Sequence, residues 1–346
     1  IHALSISLII SQDYPKKKFY KREKHAAKIM GRDDRKYGDH SGNRVLCRFY
    51  NHGSIGDQSS SFSGVYPIGS GHSYIWEFSP VVAASVVDTN GFRRHIVSDG
   101  ISGLVDASPE GTPWSFEPLS GYSNPNQENL AMSDNENSWP NSWPNRTEDW
   151  NGEWNGQYGK YVRADQESYF VVDDRYNSEF EFWPDQNDIP EDPTVSPDEH
   201  RRGLGIEMEA RGYQWNHPAA EDIIIVTYWI TNVGSSVLDS VVFGMYGDAD
   251  IGGASSFSDD DAWFDTENDM VYQWDHDNWS SSYGGFRPAY FGWSFLESPG
   301  NPHDGIDNDG DGMIDESQFD GVDNDGDWDP ERCLLYTSPS PRDPNR

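Results

Sequence analysis

Residues 222–230, DIIIVTYWI, carry apolar side chains on both faces of an extended chain. Because successive residues of a β-strand point to opposite sides, the run divides into two rows. One row is Ile224, Val226, Tyr228 and Ile230, and the other is Ile223, Ile225, Thr227 and Trp229. A strand that is apolar on both sides has to be covered on both sides, so the run predicts a central strand of a sandwich.

Further stretches carry strand patterns separated by turn residues. They are residues 44–51, 73–88, 93–100, 203–216, 269–275 and 290–295. Asn90-Gly91 predicts a hairpin turn, and residues 222–253 are interpreted as a second hairpin that turns at 232–234 and buries Val242 and Phe243. We therefore expect a mostly β chain: an antiparallel β-sandwich with long irregular loops rich in Trp, Pro and Asn, a short N-terminal helix and acidic calcium-binding loops.

Composition divides the chain into six segments. Residues 1–11 are typical of a signal-peptide remnant, and a buried first strand is the alternative. The other segments are a basic leader or short helix at 12–40, a β-rich region at 41–202 with a Trp-rich loop at 111–160, the β-sandwich region at 203–298, acidic repeats at 299–332 and a tail at 333–346. No run reaches transmembrane length, so we expect no membrane span.

The charge balance limits the partners. Against 25 Lys and Arg the chain has 59 Asp and Glu, which gives a formal net charge of −34. Such a surface repels phosphate groups, so nucleic acid is not an expected partner, and it attracts divalent cations. The 14 Trp, 18 Tyr and 16 Phe argue against disorder, because disordered acidic chains contain few aromatic residues.

Two acidic repeats follow the last expected strand. The first has oxygen donors at alternate positions, as a Ca²⁺ loop requires, with Gly312 at the sharp turn. Its expected ligands are Asp307, Asp309, Asp311, the Met313 carbonyl, Asp315 and Glu316. Gln318 stands where an EF-hand has its bidentate Glu, so Glu316 is expected to substitute, as in the shorter loops of thrombospondin type 3 or dockerin repeats, which this stretch resembles. An acidic, solvated linker is the alternative.

The second repeat predicts a weaker site. Its ligands would be Asp323, Asp325, Asp327, Asp329 and Glu331. Trp328 replaces the turn glycine of the first repeat, and a tryptophan adopts a positive φ less readily than glycine does. For both repeats we expect affinities of the extracellular range, roughly 10⁻⁴ to 10⁻³ M.

A further acidic group lies in residues 247–265, GDADIGGASSFSDDDAWFD. We expect it in a loop that closes the 222–253 hairpin, either as a second metal loop or as plain solvated carboxylates. Its candidate ligands are Asp248, Asp250, Asp259, Asp260, Asp261 and Asp265.

The Trp-rich loop allows two interpretations. Trp139, Trp143, Trp150 and Trp154 could stack on sugar rings, or they could fix a long loop to the sheet as a satellite cluster. The second is preferred. Catalytic residues stay unassigned, because no HExxH, GxSxG, P-loop or GxGxxG motif is present and 59 acidic residues do not single out a glycosidase pair.

The cysteines and the tail give little support for disulfides. Cys47 is expected to pack as a small core residue. Cys333 opens CLLYTSPSPRD, 333–343, which resembles the translation of a sequencing-library adapter, so no fold argument is built on it.

Four stretches together carry a resemblance to a known group of proteins. They are GNRVLCRFYNHGSIG at 42–56, GVYPIGSGHSYIWEFSPVVAASVVD at 64–88, ADQESYFVVDD at 164–174 and YWITNVGSSVLDSVVFGMYGDADIGG at 228–253. They resemble large, uncharacterised exported proteins of environmental Bacteroidetes and Ignavibacteria-type bacteria, which carry DGIDNDGDG repeats and end in a type IX secretion sorting domain. The resemblance implies an extracellular or outer-surface location and a fragment of a larger chain, and it implies no activity.

These observations together predict a secreted or cell-surface structural or adhesive β protein stabilised by Ca²⁺. Its expected partners are calcium and either a polysaccharide or another surface protein. The alternative is an extracellular carbohydrate-binding or carbohydrate-degrading protein that uses the Trp-rich loop.

Overall fold

The computed structural model describes residues 3–11, 34–56, 62–101, 107–109, 114–186, 200–253, 256–265 and 270–297. Within these residues the chain is mostly β, as predicted, and each helix is a single 3₁₀ turn. The expected N-terminal helix, the acidic repeats and the tail from 333 onward lie outside the described residues.

Fourteen strands are present in the described part of the chain. They are β1 Ala3–Ser11, β2 Tyr37–His40, β3 Cys47–Tyr50, β4 Ile75–Val87, β5 Arg93–Asp99, β6 Glu117–Pro118, β7 Ala131–Met132, β8 Gln166–Asp173, β9 Ile206–Gln214, β10 Ile223–Asn232, β11 Asp239–Ala249, β12 Asp260–Asp265, β13 Met270–Asp275 and β14 Tyr290–Glu297. The 3₁₀ turns are Glu136–Ser138, Glu148–Trp150, Phe257–Asp259 and Ser282–Gly284.

The larger sheet draws strands from nearly the whole described chain. Its order is β12-β13-β14-β1-β10-β9-β8-β6, and β7 also pairs with β8. All pairings in it are antiparallel except those of β1, which lies parallel to both β10 and β14. Residues 3–11 therefore form a strand of this sheet, and strands of the 41–202 and 203–298 regions share it.

A smaller sheet, β11-β4-β5, packs against the larger one. Its β4 and β5 form the hairpin predicted from Asn90-Gly91, and Gly91 takes the positive φ of 81° that the turn requires. Phe78 on β4 meets Phe291 on β14, with ring centroids 5.0 Å apart. The two sheets thus enclose a common apolar layer, as in a β-sandwich.

The predicted hairpin at 222–253 is wrong. β10 pairs with β9 and β1, whereas β11 pairs with β4 in the other sheet. The connection does not close a tight turn, because the backbone N–H groups of Val233 and Gly234 donate to the Gly205 carbonyl and that of Ser235 donates to the Pro184 carbonyl. These hydrogen bonds lead the chain across to the second sheet.

Most of the central-strand prediction is confirmed. Ile224, Val226 and Tyr228 are buried, and Ile230 is partly buried against the same core. The expected burial of Val242 is wrong, because it is 61% exposed. Its neighbour Phe243 faces the core, and adjacent residues of a strand point to opposite sides.

Buried side chains also alternate along the chain in and beside β3 and β9. Val45, Cys47 and Phe49 are buried in and beside β3, and Leu204, Ile206 and Met208 are buried in and beside β9. They belong to one core cluster, to which the larger sheet, the smaller sheet and a two-stranded sheet of β2 and β3 all contribute. None of the described helices is long and apolar enough to cross a bilayer.

Candidate functional site

Three strand ends bring acidic side chains together at one corner of the sandwich. β11 ends at Ala249 and is followed by a turn at 250–253, β12 begins at Asp260, and β13 ends at Asp275. In the β12–β13 pair, Asp260 and Asp275 lie directly opposite each other. Cross-strand partners on one face are close neighbours, so the register itself places two carboxylates side by side.

Glycine makes the approach of the β11 turn possible. Gly252 has a φ of 83°, and a Cβ added there would lie 2.7 Å from the Cβ of Ser280. Ser280 Oγ donates to the Gly252 carbonyl at 2.7 Å, and the Asp250 N–H donates to the Tyr74 carbonyl at 3.0 Å. Hydrogen bonds to Ser280 and to Tyr74 therefore fix the turn and, with it, the position of Asp250.

Asp259, Asp275 and Asp277 form the closest group. Each has a carboxylate oxygen within 4.8 Å of an oxygen of the other two. Asp275 is 3% exposed; its Oδ2 accepts from Ser256 Oγ at 2.8 Å and its Oδ1 from the Trp279 N–H at 2.7 Å. These hydrogen bonds orient Asp275, whereas the side chains of Asp259 and Asp277 remain exposed.

Two neighbouring carboxylates have an oxygen without a partner. Asp250 is 4% exposed, and its Oδ2 has no hydrogen-bond partner among the described residues. Asp260 accepts from the Ile251 N–H at 2.8 Å through Oδ2, but its buried Oδ1 likewise lacks a described partner. A buried polar atom that is left unpaired costs free energy, so a proton or a bound cation at these oxygens would be stabilising.

The pKa values of both carboxyls are raised. Burial, together with the charges of Asp275, Asp250 and Asp259, raises the pKa of Asp260 to about 7, although the hydrogen bond from the Ile251 N–H opposes the rise. Burial and the charge of Asp248 raise the pKa of Asp250 to about 6. No Lys or Arg of the described chain forms an ion pair with Asp250, Asp259 or Asp260.

The structure brings together half of the residues proposed from the sequence. Asp250, Asp259 and Asp260 converge, but the loop that holds them follows β11 rather than closing a hairpin. Asp248 lies opposite Glu77 on β4, and Asp261 bonds His276 Nδ1 at 2.6 Å. Asp265 lies at the far end of β12, opposite Met270.

Two members of the cluster were missed. Asp275 and Asp277 lie on and after β13, separated in sequence from the 248–265 group. The signal available was the alternating WDHDN at 274–278, which places two carboxylates at a strand end. Sequence spacing alone did not show that β13 returns beside β12.

No family profile, curated protein or solved structure matches this chain.

The Trp-rich loop forms a second, smaller cluster on the outer side of β8. Trp143 and Trp154 are each 2% exposed and pack with Tyr122, Tyr169 and Val171. Trp139 and Trp150 are partly buried against the same cluster.

Buried hydrogen bonds orient the tryptophan rings. Trp154 Nε1 donates to Glu167 Oε2 at 2.7 Å, and Trp143 Nε1 donates to the Glu153 carbonyl at 3.0 Å. Trp139 Nε1 donates to the Met132 carbonyl at 2.7 Å. Two of the four rings proposed for sugar stacking are thus covered by protein, and three of the indoles are tied to the sheet or to the loop itself.

Proposed function

We propose that the chain is a secreted or cell-surface structural and adhesive β protein that Ca²⁺ stabilises. The observation that carries the metal part is the buried Asp250 Oδ2 without a described partner, next to Asp260 and the group Asp259, Asp275 and Asp277. Carboxylate oxygens are the donors that Ca²⁺ prefers, and the ion takes six to eight of them. A cation at this corner would offset the mutual repulsion of the carboxylates.

The physical role of the ion would be to hold three strand ends together. An ion that binds the folded chain and not the unfolded chain adds stability by mass action. Cys47 is a free, buried thiol in the described chain, so metal binding would act here where other exported proteins use disulfides. The acidic repeats at 307–316 and 323–331 would extend the same chemistry beyond β14.

The location is proposed on the resemblance to exported surface proteins and on the charge. A net charge of −34 keeps a chain soluble and suits the millimolar calcium of extracellular fluid. The adhesive role would require an exposed surface of the chain that binds a partner. No catalytic role is proposed.

The test is a pair of melting curves, in chelator and in millimolar Ca²⁺, for the wild type and Asp250→Asn. In chelator we expect Asp250→Asn to melt higher than the wild type, because the amide removes one charge and can donate to Asp260. In Ca²⁺ we expect the wild type to gain more stability than the variant, because the variant has lost a ligand.

Glu136→Gln is the matched control, since Glu136 is exposed and lies outside the cluster. It removes the same charge and should leave both curves unchanged. If Asp250→Asn raises the melting temperature equally in chelator and in Ca²⁺, the corner is an acidic surface and not a calcium site.

A further inference from the structure

Four aromatic side chains form a strip on the outer face of β12, β13 and β14. They are Trp263, Tyr272, Trp274 and Tyr290, here called the aromatic track. Trp263 lies directly opposite Tyr272 in the strand register. The rings of Tyr272 and Trp274 are 5.5 Å apart, and those of Trp274 and Tyr290 are 5.9 Å apart with their planes inclined by only 25°. The strand register therefore brings the four rings into one row on this face of the sheet.

The aromatic track does not belong to the packed interior. Trp263 is 63% exposed and Tyr290 is 39% exposed, and none of the four rings is a member of either buried cluster. Through the strand registers the track lies on the same side of the sheet as Tyr169, where the Trp-rich loop covers β8. Exposed aromatic groups of this size mark interaction surfaces.

One end of the track continues into a cleft of about 450 Å³. Tyr290 lines this cleft together with Tyr66, His72, Phe286 and Arg287. The rings of His72 and Phe286 stack in the lining of the cleft, with their planes 11° apart and their centroids 3.6 Å apart. The track and the cleft share Tyr290, so together they form one aromatic path from the strands into the cleft.

The chemistry of the path selects among the ligands that stack on aromatic rings. Nucleobases stack well, but the phosphates attached to them are repelled by a chain of net charge −34. Asp261 lies opposite Trp274 beside the track and is hydrogen-bonded to His276. An apolar protein surface would have to bury both of these polar side chains and remove their water.

A chain of uncharged sugar rings avoids both costs. The C–H face of a pyranose ring is apolar and can stack on the aromatic track, and its hydroxyl groups can hydrogen-bond to groups at the edge. Asp261 and His276 border the track there, hydrogen-bonded to each other, with 45% and 70% of their side chains exposed. Tyr and Trp suit such a ligand because each combines an apolar ring with a polar atom.

We propose that the aromatic track binds a neutral polysaccharide chain laid along the outer face of β12, β13 and β14. The inference rests on the adhesive role proposed above and names its ligand class, but it does not depend on the metal site. It also moves the sugar-binding surface away from the Trp-rich loop at 139–154 to a different part of the sheet.

The test is affinity gel electrophoresis of the whole chain in millimolar Ca²⁺ with hydroxyethylcellulose, xyloglucan and galactomannan as neutral probes and alginate as the anionic probe. We expect at least one neutral polysaccharide to retard the wild type. Trp263→Ala should weaken that binding about tenfold, as the loss of one stacking contact predicts. Trp76→Ala, which removes a 41% exposed tryptophan from β4 of the other sheet, should bind as the wild type does.

Far-ultraviolet and near-ultraviolet circular dichroism establish that each variant is folded, and Tyr290→Ala provides a second removal if Trp263→Ala is not. The proposal is overturned if no neutral polysaccharide retards the wild type, if alginate alone does, or if Trp263→Ala and Tyr290→Ala bind as tightly as the wild type. The melting curves in Ca²⁺ test the metal site separately. Failure of the polysaccharide proposal can therefore be distinguished from failure of the calcium proposal.

Discussion

The rings of Tyr228 and Phe243 contact each other with centroids 5.5 Å apart, although their strands belong to different sheets. Tyr228 lies on β10 and Phe243 on β11, the two strands that the sequence had suggested would pair edge to edge. They meet face to face instead. The contact shows that the chain crosses from one layer to the other between 232 and 239, and that this crossing closes the apolar interior.

Tyr228→Phe should leave stability unchanged or raise it. The side chain is 1% exposed, and its hydroxyl has no hydrogen-bond partner among the described residues. Removing a buried, unpaired polar group relieves a penalty of about 1 kcal/mol or more, while the ring contact with Phe243 is kept. Urea unfolding measures the effect. Tyr228→Ala, which removes the whole ring, is the comparison and should lower the free energy of unfolding by about 3–5 kcal/mol. A clear loss of stability in Tyr228→Phe would show that the hydroxyl has a partner.

Trp154→Phe should destabilise the protein more than Trp150→Phe. Trp154 donates to the buried carboxylate of Glu167, and phenylalanine cannot. The lost hydrogen bond to a charged group and the lost volume together should cost about 2–4 kcal/mol. Trp150 is half-buried at the edge of the same cluster, so its variant should stay within about 1 kcal/mol of the wild type. Equal losses in urea unfolding would contradict the assigned role of the indole N–H.

Asp174 should make stability depend on pH. Burial is the main cause that raises the pKa of its carboxyl to about 6; Arg201 opposes the rise and the charge of Asp173 supports it. Since the folded pKa exceeds the ordinary value of 3.8, the folded state binds the proton more tightly. This contribution is complete below about pH 4 and is lost as the pH rises through 6.

Asp174→Asn isolates that contribution among the many acidic residues. The free energy of unfolding of the wild type, relative to the variant, should rise by roughly 2 kcal/mol when the pH falls from 7 to 4. Urea unfolding at several pH values measures this difference. A constant difference across that range would mean that the three donors around the carboxylate, Ser98 Oγ and the N–H groups of Leu204 and Ile206, keep it ionised.

The acidic repeat at 307–316 should bind Ca²⁺ independently of the strand-end cluster. We expect millimolar Ca²⁺ to protect residues 304–331 from proteolysis, because ion binding orders carboxylates that otherwise repel one another. Asp309→Ala should remove most of this protection, since it deletes a central ligand and leaves Gly312 in place. Asp134→Ala, remote from the repeat in sequence, is the control. Cleavage within 304–331 at the same rate with and without Ca²⁺ would show that the repeat is a solvated spacer.

The alternation of apolar and polar residues predicted the strands well, because the buried face of a strand depends on residues that are close together in sequence. Val45, Cys47 and Phe49 could be assigned to the core from their spacing alone, and they are buried. The pairing of strands was harder to predict. Asn232 and Gly234 indicate that the chain changes direction, but they do not indicate whether it returns to the same sheet. A turn signal is local, whereas the choice between β4 and β10 as the neighbour of β11 depends on residues far away in sequence.

The same distinction explains the acidic cluster. Asp259 and Asp260 could be proposed because they are adjacent in a dense acidic run. Asp275 could not, because its closeness to Asp260 arises only from the β12–β13 register. The aromatic track was missed for the same reason: Trp263 and Tyr290 are distant in sequence, and two strand pairings bring them onto one face of the sheet.

The position of β1 has a consequence for the order of folding. Its backbone lies between β10 and β14, with Ala3 beside Tyr290 and Ser5 beside Ile223. Contacts between residues so far apart in sequence are slow to form, because the entropy of closing a long loop is lost before the contact is gained. Until β14 has been made, β1 can pair on one edge only, and an unpaired edge is a template for association with other chains. The middle of the larger sheet should therefore be among the last parts to assemble, and unfinished molecules should be the ones that aggregate.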